Sequence, residues 1–163
     1  MLNYFKYGSL LLFLLTCILN CSSTQQKALD LPEFSGYMYF RVIIEGRDSA
    51  NIRLENEMDQ YRDLVTVKGD NVFGFVAKAD MNYRITRIIF NDTAFALQEP
   101  IDVGLVKPDQ IGFAGTIHIF RRGSEFSVKI EKSDEDFQKS KELLVQKHPK
   151  YIGKYPIVNI SNF

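Results

Sequence analysis

The chain has 163 residues, 45% of them hydrophobic and 25% charged, and its 20 basic and 20 acidic side chains cancel to a formal net charge of zero. That balance lacks the basic excess that binding to nucleic acid or to an anionic surface requires. Both cysteines, Cys17 and Cys21, fall near the start of the chain, so no disulfide staples the remainder and its stability must come from a core.

Residues 1–23 come first and have the layout of a secretory signal. The single cation Lys6 leads into an apolar run at residues 10–19, and Asn20-Cys21-Ser22-Ser23 closes it. A charged lead, a short apolar core and a small or polar exit are the marks of a segment that directs export. A helix that crosses a bilayer needs about 20 apolar residues. This run is half as long and therefore targets the chain without spanning. Cys21 stands where the run ends and the polar Ser22-Ser23-Thr24-Gln25-Gln26 begins, whereas Cys17 sits inside the run. The expected division is a signal peptide at 1–20, a lipidated N-terminus and flexible tether at 21–34, and one domain at 35–163. Removal of residues 1–20 leaves 163 − 20 = 143 residues, and a chain of that size buries roughly 68–70% of its unfolded surface.

The segment Ile18-Leu19-Asn20-Cys21 resembles the lipobox of bacterial lipoproteins, and Asn before the cysteine is similar to the form found in spirochaetes. The resemblance implies a thioether to diacylglycerol at Cys21, palmitate-type acylation and residence in the cell envelope, expected at the outer membrane, on its periplasmic face or at the cell surface. Each buried methylene contributes about 0.8 kcal/mol, so a two-chain anchor holds the protein at the membrane without a spanning helix.

The body of the chain reads as strands. Tyr37-Met38-Tyr39-Phe40-Arg41-Val42-Ile43-Ile44-Glu45 is β-branched and aromatic between Gly36 and Gly46;. The charged stretch at residues 45–63 reads as an exposed edge strand or a long surface loop. Lys68-Gly69-Asp70-Asn71 has the composition of a hairpin turn between Leu64-Val65-Thr66-Val67 and Val72-Phe73-Gly74-Phe75-Val76;. Strands are expected at 83–90, 94–97, 101–106, 111–120 and 125–130, with a tight turn at Arg121-Arg122-Gly123-Ser124;. Phe126, Val128 and Ile130 alternate with Ser127, Lys129 and Glu131, which predicts one wet face;.

One helix is predicted at residues 133–148. Ser133 is its N-cap, Asp134, Glu135 and Asp136 load its positive end, Lys147 and His148 its negative end, and Pro149 stops it;. Phe137, Lys141 and Leu144 fall on one side, with Leu143 nearby. A last extended piece, Ile157-Val158-Asn159-Ile160, is expected to pair back onto the sheet. The fold class is therefore mainly β, an antiparallel β-sandwich with one C-terminal helix.

Three segments in the second half carry a family resemblance: Phe75-Val76-Ala77-Lys78-Ala79-Asp80-Met81-Asn82-Tyr83-Arg84-Ile85, residues 95–106, and Gly112-Phe113-Ala114-Gly115-Thr116-Ile117. They are similar to carboxypeptidase-regulatory-like and transthyretin-like sandwiches, which recur in bacterial lipoproteins. The resemblance implies a binding or spacer module and no catalytic residues.

Residues with chemistry to offer are few. His118, between Ile117 and Ile119, is expected to point away from them and to be satisfied or solvated. His148 is explained by the helix end. No nucleophile elbow, phosphate loop or metal-spaced His and Cys set is present in the sequence. Glu55, Glu57 and Asp59 would share a face if they lay on one strand, but Arg53 and Arg62 flank them and a solvated charged face is the expectation. Phe163 ends the chain as an outer-membrane barrel strand would, yet too few strands reach the 9–11 residues such a barrel needs.

The expected function is that of a lipid-anchored envelope lipoprotein whose β-sandwich binds or spaces, without catalysis, cofactor or metal. Its partners would be the membrane through the anchor, and an envelope protein, a glycan or a host molecule. The alternative is a small apolar-ligand carrier, with Phe73, Phe75, Phe90, Phe95 and Phe113 lining a barrel-like cavity. The sequence leaves open whether Tyr37, Tyr39 and Phe40 are core or an exposed patch.

Overall fold

The computed structural model describes residues 30–91 and 93–160. The predicted signal peptide, Cys17, Cys21, most of the predicted tether and Phe163 lie outside the described residues. Within them the chain is mainly β, with seven strands in one curled sheet and one α-helix. The elements are β1 (Ser35–Asn56), β2 (Tyr61–Lys78), β3 (Tyr83–Phe90), β4 (Thr93–Gly104), β5 (Ile111–Arg122), β6 (Glu125–Glu131), α1 (Asp134–Lys147), a 3-10 turn (Pro149–Tyr151) and β7 (Ile157–Asn159).

Strand β1 is the spine. It pairs with β2 along nearly its whole length, with β5 along its first half and with β3 near its end. The sheet order is β4-β3-β1-β5-β6, with β2 also on β1 and β7 on β5. The pairings β1–β5 and β5–β7 are parallel. The sheet is thus mixed, where the alternation predicts an antiparallel one throughout. Hairpins force antiparallel pairing only between neighbours in sequence, and β2, β3 and β4 separate β1 from β5.

The turn composition at Lys68-Gly69-Asp70-Asn71 does not reverse the chain; β2 runs straight through it. The hairpin bends there instead. Gly69 takes φ +101° and Gly46 on β1 takes φ +77°, a region open to glycine without a Cβ penalty. The register slips between Ile44 and Ser49, which leaves extra residues on β1, and such bulges bend a strand and raise its twist. The bend brings the two ends of the hairpin together, so that Lys78 Nζ at the end of β2 lies 4.0 Å from Met58 Sδ in the turn. The true reversal falls at residues 57–60, where Asn56 Oδ1 accepts from the amides of Met58 and Gln60 at 3.0 and 3.1 Å.

The charged stretch at 45–63 is therefore neither edge strand nor long loop. Most of it is the second half of β1, flanked by β2 and β3, with one face in solvent. Arg53 binds Asp63 across the ladder at 2.7 and 2.8 Å and lies 4.5 Å from the Tyr61 ring. The two pieces expected at 94–97 and 101–106 join into β4, in which Pro100 is tolerated because β4 ends the sheet;.

Alternation along β1 divides the core in two. Met38, Phe40, Val42 and Ile44 face inward with Ile52, Leu54, Ile85, Ile88, Ile117 and Ile119. The curl closes over this cluster, since Phe95 on β4 stacks on Phe126 of β6 at 4.9 Å and Phe90 meets both edge-on at 5.9 Å. Tyr37 and Tyr39 face outward with Ile111 and Phe113, under Leu144 of α1 and Tyr151. The three aromatics left open by the sequence are thus all buried. Helix α1 begins as predicted, with Ser133 Oγ accepting from Asp136 N at 3.1 Å. Its buried face is Phe137, Ser140 and Leu144, however, and Lys141 is exposed. A residue as small as serine lets the helix sit close on the sheet where lysine cannot.

Residues 30–34, assigned to the tether by sequence, are fastened at their start. Leu31 is buried and its amide donates to Tyr155 Oη at 2.8 Å.

Burial makes Tyr37 a probe of the helix–sheet layer. Burial and the neighbouring Tyr151 raise its phenol from 10.0 to about 12, and burial pushes Tyr39 upward as well. A raised folded value means that the contribution to stability is complete below the unfolded value and lost as pH climbs through the folded one. Stability should therefore fall by roughly 2–3 kcal/mol for Tyr37 alone between about pH 10 and 12. Urea midpoints measured across that window, with phenolate absorbance in parallel, check this; a flat profile contradicts it.

Candidate functional site

Helix α1 covers only part of the outer face of the sheet. The pairing of β1, β5 and β6 lays that face out in rows: Arg41, Thr116 and Glu131; then Ile43, His118 and Lys129; then Glu45, Phe120 and Ser127. The last two rows, with Glu131, line an open groove of about 350 Å³ beyond the start of α1.

The first row is closed by Arg41. Its guanidinium is buried, and it grips Asp70 with two bonds of 2.6 Å and Asp136 of α1 with one of 2.9 Å. A planar fork matched to a carboxylate gives this pair its geometry. The hydrogen bonds from Arg41 hold the Asp70 carboxyl below the usual carboxylate range, against the opposing effect of its partial burial. Arg41 thus fastens the start of the helix to the bend of the β1–β2 hairpin and sets one wall of the groove.

Inside the groove, Glu131 is the charged centre. Lys129 Nζ donates to it at 2.6 Å, and His118 Nε2 lies 3.2 Å from its other oxygen, an electrostatic contact without hydrogen-bond alignment. The bond from Lys129, and then the charge of His118, lower its carboxyl below the usual range. Ser127 lies opposite Phe120, one row from His118, and among the described residues no hydrogen bond joins the serine to the imidazole. The arrangement provides donors, acceptors and an aromatic floor, which suits recognition of a polar ligand or chain.

Of the residues singled out by sequence, Cys21 and Cys17 lie outside the described residues. His118 faces away from Ile117 and Ile119, as alternation predicts, and its side chain is 36% exposed, but its Nε2 is buried without a hydrogen-bond partner among the described residues and so is neither satisfied nor solvated. His148 caps α1: its amide donates to Leu144 O at 2.8 Å, and its Nε2 lies 3.2 Å from Val72 O. Glu55, Glu57 and Asp59 do not share a strand face, since Glu55 is on β1 and accepts from Thr86 at 3.0 Å while the other two sit in the turn. Among the described residues, no group of three or more His, Cys, Asp or Glu side chains is placed to hold a metal ion. Phe73, Phe75, Phe90 and Phe95 belong to the inner cluster, but Phe113 lies on the opposite face under α1. Glu45, Lys129 and Glu131 were not singled out. The alternation of β6 marks the last two as solvent-facing, and only the adjacency of β1 and β5, which no local signal carries, brings Glu45 to them.

The described chain is thus a mainly β domain with a helix on one face and an open groove beside it. No protein-family model matches the chain, and no curated protein matches it. Among the described residues, no helix is long and apolar enough to cross a membrane.

Proposed function

We propose that the protein is a lipoprotein of the bacterial cell envelope, anchored through Cys21, whose domain is a non-catalytic binding module. The observation that carries this reading is Ile18-Leu19-Asn20-Cys21 at the point where a signal-length apolar run gives way to polar chain;. The groove over Ile43, Glu45, His118, Phe120, Ser127, Lys129 and Glu131 is the surface the anchor presents to an envelope protein, a glycan or a host molecule. The curl of the sheet over one core supports calling the fold a β-sandwich, of the kind suggested by the carboxypeptidase-regulatory-like and transthyretin-like resemblance. Rings that would line a carrier's cavity pack against one another instead, Phe75 on Tyr83 at 5.5 Å and Phe95 on Phe126 at 4.9 Å. That packing favours the module over the carrier.

Photocrosslinking in intact cells tests the role of the groove. A photoreactive residue in place of Ser127, in the groove, should give an adduct of discrete mass. The same residue in place of Gln138, exposed on α1, should not. Equal crosslinking from both positions, or none from Ser127, contradicts the assignment.

A further inference from the structure

The exposed apolar side chains of the domain are unevenly placed. Of the seven large apolar side chains exposed among the described residues, Phe34, Tyr61, Met58 and Leu105 lie where the hairpin ends meet, Val65 and Val67 lie along β2 and Val145 on α1. Backbone bonds tie this end together: Ala79 N donates to Phe34 O at 2.9 Å, Asp80 N to Val106 O at 2.9 Å, and Asp109 N to Ser35 O at 3.1 Å. A hollow of about 430 Å³ beside Phe34 is lined by Gln60, Arg62, Val76, Lys78 and Tyr83. The bend of the hairpin and the groove lie towards the opposite end.

Phe34 is held outward at a cost. Its φ is +54°, and the other described non-glycine residues with positive φ are Asp59, Asp80, Asn91 and Asp109. Aspartate and asparagine visit that region readily, whereas other L-residues pay about 1–2 kcal/mol there. Strain of this kind persists where the surrounding structure enforces it, and it concentrates at functional positions.

The described chain begins beside this end, where Asp30 pairs with Lys154 and the Leu31 amide donates to Tyr155 Oη at 2.8 Å, close to the start of β1. Nine residue steps separate Cys21 from Asp30, and at about 3.3–3.6 Å per step they reach at most about 32 Å. A lipid on Cys21 therefore keeps this end of the fold within about 32 Å of the bilayer, and among the described residues no other face carries a comparable set of exposed aromatic and thioether groups. Charge selects the kind of lipid. Glu33, Glu57, Asp59, Asp80 and Asp109 lie within a few residues of the apolar groups or of their backbone partners, against Arg62, Lys78 and Lys107, and the Arg53 over Tyr61 is paired with Asp63. An acidic rim is repelled by anionic headgroups and tolerated by zwitterionic ones.

We infer that the tether end of the domain docks onto a zwitterionic lipid surface, with Phe34 and Met58 in the interface and the groove turned away from the membrane. The inference rests on the lipoprotein reading. Aromatic side chains settle at the boundary between headgroups and acyl chains, and a tether raises the effective concentration of a weak contact.

The chain contains no tryptophan, so Phe34→Trp places one fluorophore at the proposed interface. Val67→Trp places one at a 50% exposed site near the bend. Each full-length variant is produced in a lipoprotein-processing host and reconstituted into phosphatidylcholine vesicles carrying a brominated lipid. Trp at position 34 should be blue-shifted and quenched several-fold more strongly than Trp at position 67. Adding Met58→Glu, or mixing in phosphatidylglycerol, should reduce that quenching. Equal quenching at the two positions overturns the docking. Mass spectrometry of the N-terminal peptide checks the acylation separately. Should Cys21 carry no lipid, the lipoprotein reading falls; the same thiol is then coupled to a maleimide lipid in a Cys17→Ser chain, and the quenching comparison still decides the docking.

Discussion

Replacing Gly46 by alanine should destabilise the domain by about 3 kcal/mol, adding left-handed backbone strain of about 1–2 kcal/mol to the overpacking cost of a blocked site. A Cβ at this position would stand 2.1 Å from the carbonyl oxygen of Arg121, and φ is +77°. The obstruction is backbone, so no side-chain rotation relieves it; the β5–β6 turn would have to move away from the bend. Gly123→Ala is the matched control. Its φ is +62° but nothing lies within 4 Å of the added carbon, so its cost should be only the conformational part. Urea denaturation of both variants separates close approach from backbone strain. Equal losses would show that the bend does not depend on the contact between Gly46 and Arg121.

Arg41→Met should cost about 2–3 kcal/mol, less than the 3–5 kcal/mol typical of a broken buried pair because Asp70 retains contact with water. The Asp70 side chain is 41% exposed and that of Asp136 is 18% exposed, while Arg41 itself is nearly inaccessible. Methionine keeps most of the volume but leaves two carboxylates near each other without their cation. Their repulsion would release the start of α1 and with it one wall of the groove. Adding Asp70→Asn to Arg41→Met should recover a substantial part of the loss, as expected for coupled residues. The pH dependence has a defined sign. Asp70 has a depressed folded value against an ordinary 3.8, so its contribution is present above that ordinary value and lost as pH falls through the folded one. Wild type should therefore lose stability in acid more steeply than Arg41→Met. Parallel acid profiles would contradict a stabilising role for the Arg41–Asp70 pair.

Local signals were reliable where the structure is local. The Ser133 cap, the acidic first turn and Pro149 place α1 to within a residue at each end. The β5–β6 hairpin follows its turn composition, with reversal at Gly123-Ser124. The same kind of signal misleads at Lys68-Gly69-Asp70-Asn71, because a glycine-rich polar segment serves a bend in a continuous strand as well as a reversal. Gly46 and Gly69 flank that bend on adjacent strands, but only the pairing shows it. Arg41 is a lone cation within an apolar strand segment that reads only as β-branched and aromatic, and its partners are 29 and 95 residues away in sequence, beyond any local pattern. The groove was half legible. Alternation turns His118, Lys129 and Glu131 outward, but the parallel pairing of β1 with β5 decides that Ile43 and Glu45 join them. Parallel strands meet through long crossovers, and no turn announces which strands they will join.

On the proposed reading, the end with Phe34 and the end with the groove would give an anchored binding module its polarity. Phe34 and Met58 would meet the lipid, and Glu45, Phe120 and Lys129 would face outward from it. Both halves of that picture depend on the lipid at Cys21. Metabolic labelling with radioactive palmitate tests it most directly, comparing wild type with Cys21→Ser and Cys17→Ser. The expected result is label in wild type and in Cys17→Ser and none in Cys21→Ser, with the wild-type protein in the detergent phase after partitioning. Unlabelled wild type, or label that survives in Cys21→Ser and is lost in Cys17→Ser, would contradict an anchor at Cys21.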